Sequence, residues 1–166
     1  DLILKEKIFG WFQNRSEFGP RALGNRSILA NPLSGSTKHI LDHYMKSRER
    51  YRPYAPVVIE EFANKYFDID TSSPVMMRNV KVRDKKLCAI THNDGTARVQ
   101  TVNKKENVSL YKLLLEVKES IGYPVLLNTS FNLPGEPIVE SPYDALSAFS
   151  RGSLDYLFLE NILISR

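Results

Sequence analysis

Residues 110–130 read LYKLLLEVKESIGYPVLLNTS, and this stretch indicates the fold class of the chain. Apolar side chains recur at helical spacing from Leu110 to Ile121, and Gly122 stands where a helix C-cap commonly adopts a left-handed conformation. The apolar run 125–127 follows at once and predicts a short buried strand. A helix followed directly by a buried strand is typical of α/β proteins.

The rest of the chain continues this alternation. A helix is predicted from a cap at Ser36 or Thr37 through Met45, and another begins at Ser141, where Pro142 takes the first helical position. Strands are predicted over 8–12, 55–59, 75–82, 87–90 and 96–102, with one or two more over 156–164. No internal repeat or low-complexity linker interrupts the pattern, so we predict one α/β domain over residues 1–166.

Composition narrows the range of partners. Of the 166 residues, 42% are hydrophobic, which is enough for a core, and the net charge of +4 fits a small anionic ligand. The chain lacks a dense Lys/Arg tract, so we do not expect a nucleic-acid partner. We also expect no membrane span and no signal peptide, because the apolar runs are only a few residues long.

Cys88 is the only cysteine, which excludes a disulfide within the chain and favours a reducing compartment such as the cytoplasm. Its apolar neighbours predict a buried structural thiol. No group of His, Cys, Asp and Glu has zinc-site spacing, so we predict no metal site built by the protein. The chain begins at Asp1 and not at Met, and we interpret it as part of a longer protein.

The most unusual segment is EFGPRALGNRS, residues 17–27. Gly19 and Gly24 allow tight turns whose successive N–H groups can surround an anion, and Arg21 and Arg26 add planar charged donors. The segment lacks the Gly-Lys-Ser/Thr ending of a Walker loop. The alternative is a structural turn with two arginines in surface ion pairs.

Three further segments carry candidate ligands. Lys46 and Arg52 belong to a cationic stretch; the prolines at 53 and 56 make Arg52 rigid, although such stretches are often only solvated helix ends. Arg98 follows the turn 92–95 on a predicted strand, and a buried arginine needs an anionic partner. His92 in that turn is either an acid–base group or structural.

Asn128, Thr129 and Ser130 follow the apolar strand 125–127. In α/β sheets ligands bind beyond the carboxyl ends of strands, so these short polar side chains are candidates for ligand contact. The alternative is a local Asx or Ser/Thr turn.

Read together, these segments resemble one family. The motifs EFGPRALGNRS (17–27), RPYAP (52–56), DGTARVQ (94–100), LLNTSFN (126–132) and GEPIV (135–139) resemble those of the C-terminal domain of O-carbamoyltransferases, the nodulation-type and antibiotic-tailoring enzymes. They occur in the family's order and span nearly the whole chain. The resemblance implies a YrdC-like fold, an open twisted mixed sheet with flanking helices, and a preceding N-terminal domain with an actin-like ATPase fold.

The resemblance also implies a reaction. This domain would form carbamoyl adenylate from carbamoyl phosphate and ATP, with Mg²⁺ carried by the nucleotide phosphates, and the N-terminal domain would pass the carbamoyl group to an acceptor hydroxyl. By motif position, the implied carbamoyl phosphate ligands are Arg21, Arg98, Asn128 and Ser130, the last three also catalytic, and the implied ATP ligands are Lys46, Arg52 and Arg26. The alternatives are a YrdC-like RNA-modification or RNA-binding module and a non-catalytic nucleotide-sensing domain.

Overall fold

A computed structural model describes residues 1–46 and 51–166, apart from the side chains of Tyr44 and Lys46. The described residues form an eight-stranded mixed sheet in the order β4-β5-β3-β6-β2-β1-β7-β8, with helices on its faces. This arrangement confirms the predicted open α/β sheet. The strands are β1 (Phe9–Phe12), β2 (Arg26–Ala30), β3 (Ala55–Ile59), β4 (Arg78–Lys81), β5 (Thr96–Val102), β6 (Val125–Ser130), β7 (Tyr156–Leu159) and β8 (Ile162–Ser165).

The helices are α1 (Gly35–Ile40), α2 (Ala63–Tyr66), α3 (Val108–Ile121) and α4 (Pro142–Arg151). α1 continues into a π-helical turn (Leu41–Lys46), and single 3-10 turns cover Glu60–Phe62 and Cys88–Ile90. In the sheet, β6 lies antiparallel to both of its neighbours, β2 and β3. β5 runs parallel to β3, and β7 (Tyr156–Leu159) runs parallel to β1. The sheet is therefore mixed, with antiparallel strands at both edges.

The two faces of the sheet bury separate apolar clusters. α3 covers one face with Leu110, Leu114 and Val117, which recur at helical spacing and are buried. The other face packs against the helical segment that follows α1 and against α4, which contributes Ala148 and Phe149. Because side chains alternate along each strand, a central strand such as β6 supplies both clusters.

The helix ends follow the predicted cap chemistry at α3 and α4. Gly122 ends α3 in the left-handed conformation with φ of 77°. Ser141 and Asp144 form a reciprocal capping box at the start of α4. The predicted cap of α1 is wrong by a few residues: Ser34 occupies that position, and its side chain accepts from the backbone N–H of Thr37.

Two predicted strands differ from the structure. The run 87–90 forms a 3-10 turn and not a strand, because a short apolar run does not distinguish the two. This turn points Ala89 and Ile90 into the core and leaves Cys88 exposed, so the prediction of a buried thiol is wrong. The strand predicted over 75–82 shortens to Arg78–Lys81, since Met76 adopts φ of 57°, outside the extended region.

β6 is longer than predicted. Its pairing with β2 continues to Ser130, which stands opposite Ser27. Asn128 and Ser130 therefore occupy regular strand positions, and their side chains have orientations set by the sheet.

Candidate active site

A cavity of about 500 Å³ opens at the ends of central strands, where β6 ends and β3 and β5 begin. Its walls come from four separate parts of the sequence, which are the loop before β2, the segment before β3, the β4–β5 pair and the end of β6. The residues that line it are Pro20, Arg21, Ala22, Arg52, Pro53, Tyr54, Ala55, Met76, Asn79, His92, Arg98, Asn128, Thr129 and Ser130. The cavity thus brings together residues from all four segments that the sequence marked as candidates.

The cavity forms where one face of the sheet changes from apolar to polar. Along β5, Val102 packs under α3, whereas Arg98, on the same face, lines the cavity. Gln100 lies between them and is buried. The sheet therefore provides a rigid floor for the polar side chains of the cavity.

The loop before β2 is held in shape by Glu17. One oxygen of its carboxylate, Oε1, accepts the backbone N–H of Leu23 at 2.6 Å and that of Asn25 at 2.7 Å. These two bonds close a ring of backbone that carries Arg21 at its exposed side. Arg21 makes no hydrogen bond or ion pair with the other described residues, so its guanidinium is available to a ligand in the cavity.

A buried pair of amide side chains fastens the same loop to the sheet. Gln100 Nε2 donates to the carbonyl of Leu23 at 2.7 Å, and its Oε1 accepts from Asn128 Nδ2 at 2.8 Å. Asn128 Nδ2 also donates to the carbonyl of Ala22 at 3.1 Å. Both protons of the Asn128 amide nitrogen are therefore used within the protein, and direct contact between Asn128 and a carbamoyl group stays a prediction.

The segment before β3 presents Arg52 at the cavity. Arg52 is exposed, while Tyr54 two residues later is buried and lines the same wall. The Tyr54 hydroxyl donates to Asp42 Oδ1 at 2.9 Å, and Asp42 also pairs with Lys38 at 2.6 Å. Because Tyr54 is anchored in this way and Pro53 restricts the backbone, the segment that carries Arg52 is fixed.

Arg98 lies on β5 opposite Asn79 of β4, and both residues line the cavity. Arg98 is half-buried. The adjoining wall includes Met76, which is buried in a backbone conformation that is uncommon for a residue other than glycine. Such conformations persist only where the surrounding structure determines them, and they are frequent around binding sites.

His92 stands beside Arg98 in the cavity wall, in the turn before β5. Its Nδ1 lies 3.1 Å from Thr96 Oγ1, and that hydroxyl donates to Asp94 Oδ1 at 2.7 Å. Burial lowers the pKa of His92, and the charge of Arg98 acts in the same direction, whereas Asp94 raises it. The imidazole is therefore biased towards its neutral form.

Ser130 and Thr129 complete the site at the end of β6. The Ser130 hydroxyl donates to Asn132 Oδ1 at 2.6 Å. Asn132 is held in turn through its Nδ2, which donates to the carbonyl of Glu136 at 2.8 Å. The turn after β6 therefore sets the orientation of the Ser130 hydroxyl.

Arg26 lies outside the cavity lining, although it shares a motif with Arg21. Its side chain is buried and stacks on the Phe12 ring at 3.5 Å. The guanidinium donates to the carbonyls of Gln13 at 2.8 Å and Asn14 at 2.9 Å, and burial lowers its pKa. This arrangement ties β1 to β2, and we do not include Arg26 in the proposed ATP site.

Other predicted cations lie outside the described residues. The Lys46 side chain is among them, so the predicted contact between Lys46 and ATP stays a prediction. Glu136 pairs with Arg151 through both carboxylate oxygens, at 2.5 and 3.0 Å, and is not part of the cavity lining.

The lining contains three arginines and no carboxylate, which makes the described part of the cavity suited to an anion. Among residues 1–46 and 51–166, no cluster of three or more His, Cys, Asp or Glu side chains is arranged to hold a metal ion. None of the helices in these ranges is both long and apolar enough to cross a membrane.

Sequence reasoning did not single out Glu17, Gln100, Met76 or Asn79. Glu17 and Gln100 stand inside two of the quoted motifs. Gln100 also lies two residues after Arg98 on a predicted strand, which puts both side chains on one face and was a usable signal. Asn79 lines the cavity because β4 pairs with β5, and Met76 lies shortly before β4. No local pattern in the sequence predicts that either residue lines the cavity.

Comparison with known proteins gives consistent matches along the whole chain. A family model described as "Carbamoyltransferase C-terminus" matches residues 1–166. Nodulation protein NolNO of Sinorhizobium fredii is 47% identical over 172 residues, which cover 100% of this chain and 25% of that protein. The 3'-hydroxymethylcephem-O-carbamoyltransferase of Amycolatopsis lactamdurans is 42% identical over 151 residues, covering 90% of this chain and 29% of that enzyme.

The chain thus spans only about a quarter to a third of the length of these relatives. Among solved structures, full-length HypF in its phosphate- and nucleotide-bound form superposes with a TM-score of 0.62 at 19% sequence identity. The match covers 99% of this chain and 21% of HypF. At this identity the similarity bears on the fold alone, and it confirms the YrdC-like architecture.

Proposed function

The chain belongs to the carbamoyltransferase C-terminal family, and from that membership we propose that its cavity binds carbamoyl phosphate and ATP and forms carbamoyl adenylate. In this reaction carbamoyl phosphate loses its phosphate, and the resulting carbamate attacks the α-phosphorus of ATP, which releases pyrophosphate. The relatives that are named carbamoyltransferases support the transfer of a carbamoyl group.

The observation that carries the proposal is the convergence of Arg21, Arg52 and Arg98 on one cavity whose described lining has no acidic residue. Both substrates carry phosphate groups, and adenylyl transfer requires positioning and charge neutralisation more than it requires a protein nucleophile. Fixed guanidinium groups supply both, because their planar donors match phosphate oxygens.

We assign the residues by their positions in the cavity. Arg98 is half-buried on the sheet and holds the transferred group and its phosphate; Ser130, at the end of β6, orients the carbamoyl moiety. Arg52 is exposed in the segment before β3 and contacts the ATP phosphates together with Lys46, while Arg21 binds carbamoyl phosphate from the loop before β2. Asn128 supports that loop and contributes to the carbamoyl site.

Mg²⁺ accompanies ATP in this proposal. The described lining offers no carboxylate, and hard oxygen ligands are what Mg²⁺ requires from a protein site. The residues present therefore fit an ion that arrives on the nucleotide phosphates and do not fit a site built by side chains of the cavity.

The remaining steps belong to a longer polypeptide. Because the relatives are three to four times as long as the matched region, we propose that an N-terminal actin-like domain passes the carbamoyl group to an acceptor hydroxyl. The use of ATP and the single free cysteine favour a cytoplasmic location.

Replacement of Arg98 tests the proposal. Arg98→Ala removes a charged contact to the reacting anion, and we expect pyrophosphate release that depends on carbamoyl phosphate to fall about a hundredfold, or roughly 3 kcal/mol. The assay measures pyrophosphate in the complete protein that carries this chain. Arg78→Ala is the matched control, since Arg78 is exposed on the neighbouring strand β4 and does not line the cavity.

Two outcomes would contradict the proposal. If Arg98→Ala turns over like Arg78→Ala, Arg98 is only structural. If the unmodified protein releases pyrophosphate with threonine and bicarbonate, and not with carbamoyl phosphate, the chain serves the RNA-modification chemistry named above as an alternative.

A further inference from the structure

The turn that carries His92 contains a chain of hydrogen bonds that ends at the cavity. Asp94 Oδ1 accepts two bonds from Thr96, one from the hydroxyl at 2.7 Å and one from the backbone N–H at 2.9 Å. The Thr96 hydroxyl lies 3.1 Å from His92 Nδ1. The backbone N–H of His92 donates to the carbonyl of Thr96 at 2.8 Å, which fixes the turn around the chain.

These hydrogen bonds determine the tautomer of His92. A hydroxyl has one proton, and Thr96 gives that proton to Asp94, so its oxygen can only accept from His92. Nδ1 must therefore carry a proton, and in the neutral imidazole Nε2 must carry the lone pair. None of the described residues hydrogen-bonds Nε2, and His92 lines the cavity.

The surroundings of the imidazole favour its neutral form, which is the form that can accept a proton. Arg98 stands beside it on β5 and, with burial, lowers the pKa of His92, while Asp94 in the same turn raises it. Arg21 and Arg52 line other walls of the cavity and are also cationic, and Asn79 on β4 is neutral. Bound phosphate groups would offset the arginines and raise the basicity of the imidazole during the reaction.

We propose that His92 is a catalytic base that acts through Nε2 on the water that releases phosphate from carbamoyl phosphate, with Thr96 and Asp94 as positioning residues. This inference rests on the proposed function of the cavity. His92 supplies a proton acceptor, which the arginines of the cavity do not, because a guanidinium cannot accept a proton.

Hydrolysis of carbamoyl phosphate requires that one proton leave the water and that one reach the departing phosphate. The water oxygen forms a bond to the carbonyl carbon of carbamoyl phosphate while Nε2 takes one of its protons. The bond between that carbon and the bridging oxygen breaks, and phosphate departs with the electron pair. The imidazolium then returns its proton to the phosphate, leaving carbamic acid and hydrogen phosphate, and His92 ends neutral.

The first test uses His92→Gln in the complete protein. General-base catalysis typically contributes a hundredfold or more, so we expect phosphate release from carbamoyl phosphate to fall by about that factor. In the unmodified protein kcat should decline as the pH falls through the pKa of His92, because the base becomes protonated, and His92→Gln should lack this decline. Asn93→Ala is the matched control, since Asn93 is exposed in the same turn and should leave kcat unchanged.

The second test uses Asp94→Asn, which keeps an oxygen acceptor for Thr96 but removes the negative charge. Because Asp94 raises the pKa of His92, its neutralisation should move the acidic limb of the pH profile to lower pH. A purely structural role for the turn predicts no such shift. This variant keeps the proposal testable if His92→Gln fails to fold, since Asp94 is exposed.

The outcomes separate this inference from the proposed function. If the unmodified protein releases no phosphate or pyrophosphate from carbamoyl phosphate and ATP, the proposed function itself fails. If it turns over, but His92→Gln keeps both the rate and the acidic limb, or Asp94→Asn leaves that limb in place, His92 is not the base.

Discussion

Ser130 contributes one neutral hydroxyl to a cavity that three arginines also line. It lies at the last position of β6, and its bond to Asn132 fixes the direction of its lone pairs. Arg52, which belongs to another wall of the cavity, carries charge of the kind that a triphosphate needs. A single neutral hydroxyl on the floor of the cavity is better matched to the carbamoyl group.

We therefore expect Ser130→Ala to impair the carbamoyl step and to leave ATP affinity nearly unchanged. A hydrogen bond to a charged or polarised group contributes about 1.5–3 kcal/mol, so the loss should be about ten- to a hundredfold. A bond made only in the transition state would lower kcat, whereas one made equally to the bound substrate would raise KM for carbamoyl phosphate. Steady-state kinetics with each substrate varied measures the two effects.

Ser120→Ala is the control for this substitution, because Ser120 is exposed at the end of α3, and its hydroxyl donates to the carbonyl of Glu116 in the same helix. A parallel loss of ATP affinity in Ser130→Ala would make the hydroxyl a nucleotide ligand. Loss of the fold would make it a residue that stabilises the turn after β6.

The different positions of the Arg21 and Arg26 side chains could not be predicted from the sequence. Both belong to one motif, and composition alone treats them as equivalent anion ligands. The structure separates them because Arg26 starts β2, where its side chain reaches the carbonyls of the β1–β2 connection, whereas Arg21 lies in the loop and faces the cavity. That difference depends on where the strand begins, which the motif does not encode.

At the scale of elements, the loop before β2 depends on its contact with α3. Gly24 has φ of 109°, and a Cβ placed there would lie 2.3 Å from Leu110 Cδ2. Leu110 is fully buried, and its backbone N–H donates to the side chain of Asn107, the N-cap residue of α3. An added side chain at Gly24 would therefore have to displace either Leu110 or the loop that carries Arg21.

Gly24→Ala should therefore lower the free energy of unfolding by about 2 kcal/mol or more, from steric overlap in a packed region and from backbone strain. Gly135→Ala is a matched control, because Gly135 also has a positive φ, 76°, but no heavy atom of the described residues lies within 4 Å of the added Cβ. Urea denaturation of both variants measures the difference. Equal destabilisation by the two would show that contact between the loop and α3 contributes nothing beyond backbone strain.

Elements with a long periodic pattern were predictable, and short ones were not. α3 and its Gly122 cap follow from repeated apolar spacing over several turns. The runs 75–82 and 87–90 are too short for a period to be decisive, and there Met76 and the 3-10 turn at Cys88–Ile90 replace the expected strands. The local sequence therefore predicts α3 better than it predicts the short segments 75–82 and 87–90.

At the scale of the whole molecule, the cavity depends on contacts between distant parts of the chain. Gln100 bonds to the carbonyl of Leu23, 77 residues away, and to Asn128, 28 residues away. No spacing in the sequence predicts such meetings, and only the resemblance to a family placed these segments in one site. The described residues build both the sheet and the two apolar clusters that frame the site.

We therefore expect the 166-residue chain alone to bind a non-hydrolysable ATP analogue weakly in the presence of Mg²⁺. The arginines of the cavity repel one another and attract phosphate, and Mg²⁺ offsets the charge that the protein leaves uncompensated. Because Arg21 and Arg52 are exposed, salt should screen their attraction, and the affinity should fall as the ionic strength rises. Isothermal titration calorimetry at millimolar nucleotide measures this binding.

Adenosine serves as the control ligand, since it keeps the base and ribose but lacks the phosphates. Any binding of adenosine should be weaker than that of the analogue and insensitive to salt, because the interaction with the arginines is absent. If a chain that circular dichroism shows to be folded gives no heat with the analogue, with or without Mg²⁺, nucleotide binding requires a part of the protein beyond these residues. Equal, salt-independent binding of both ligands would mean that the arginines of the cavity do not hold the phosphates, and their role in adenylate formation would have to be abandoned.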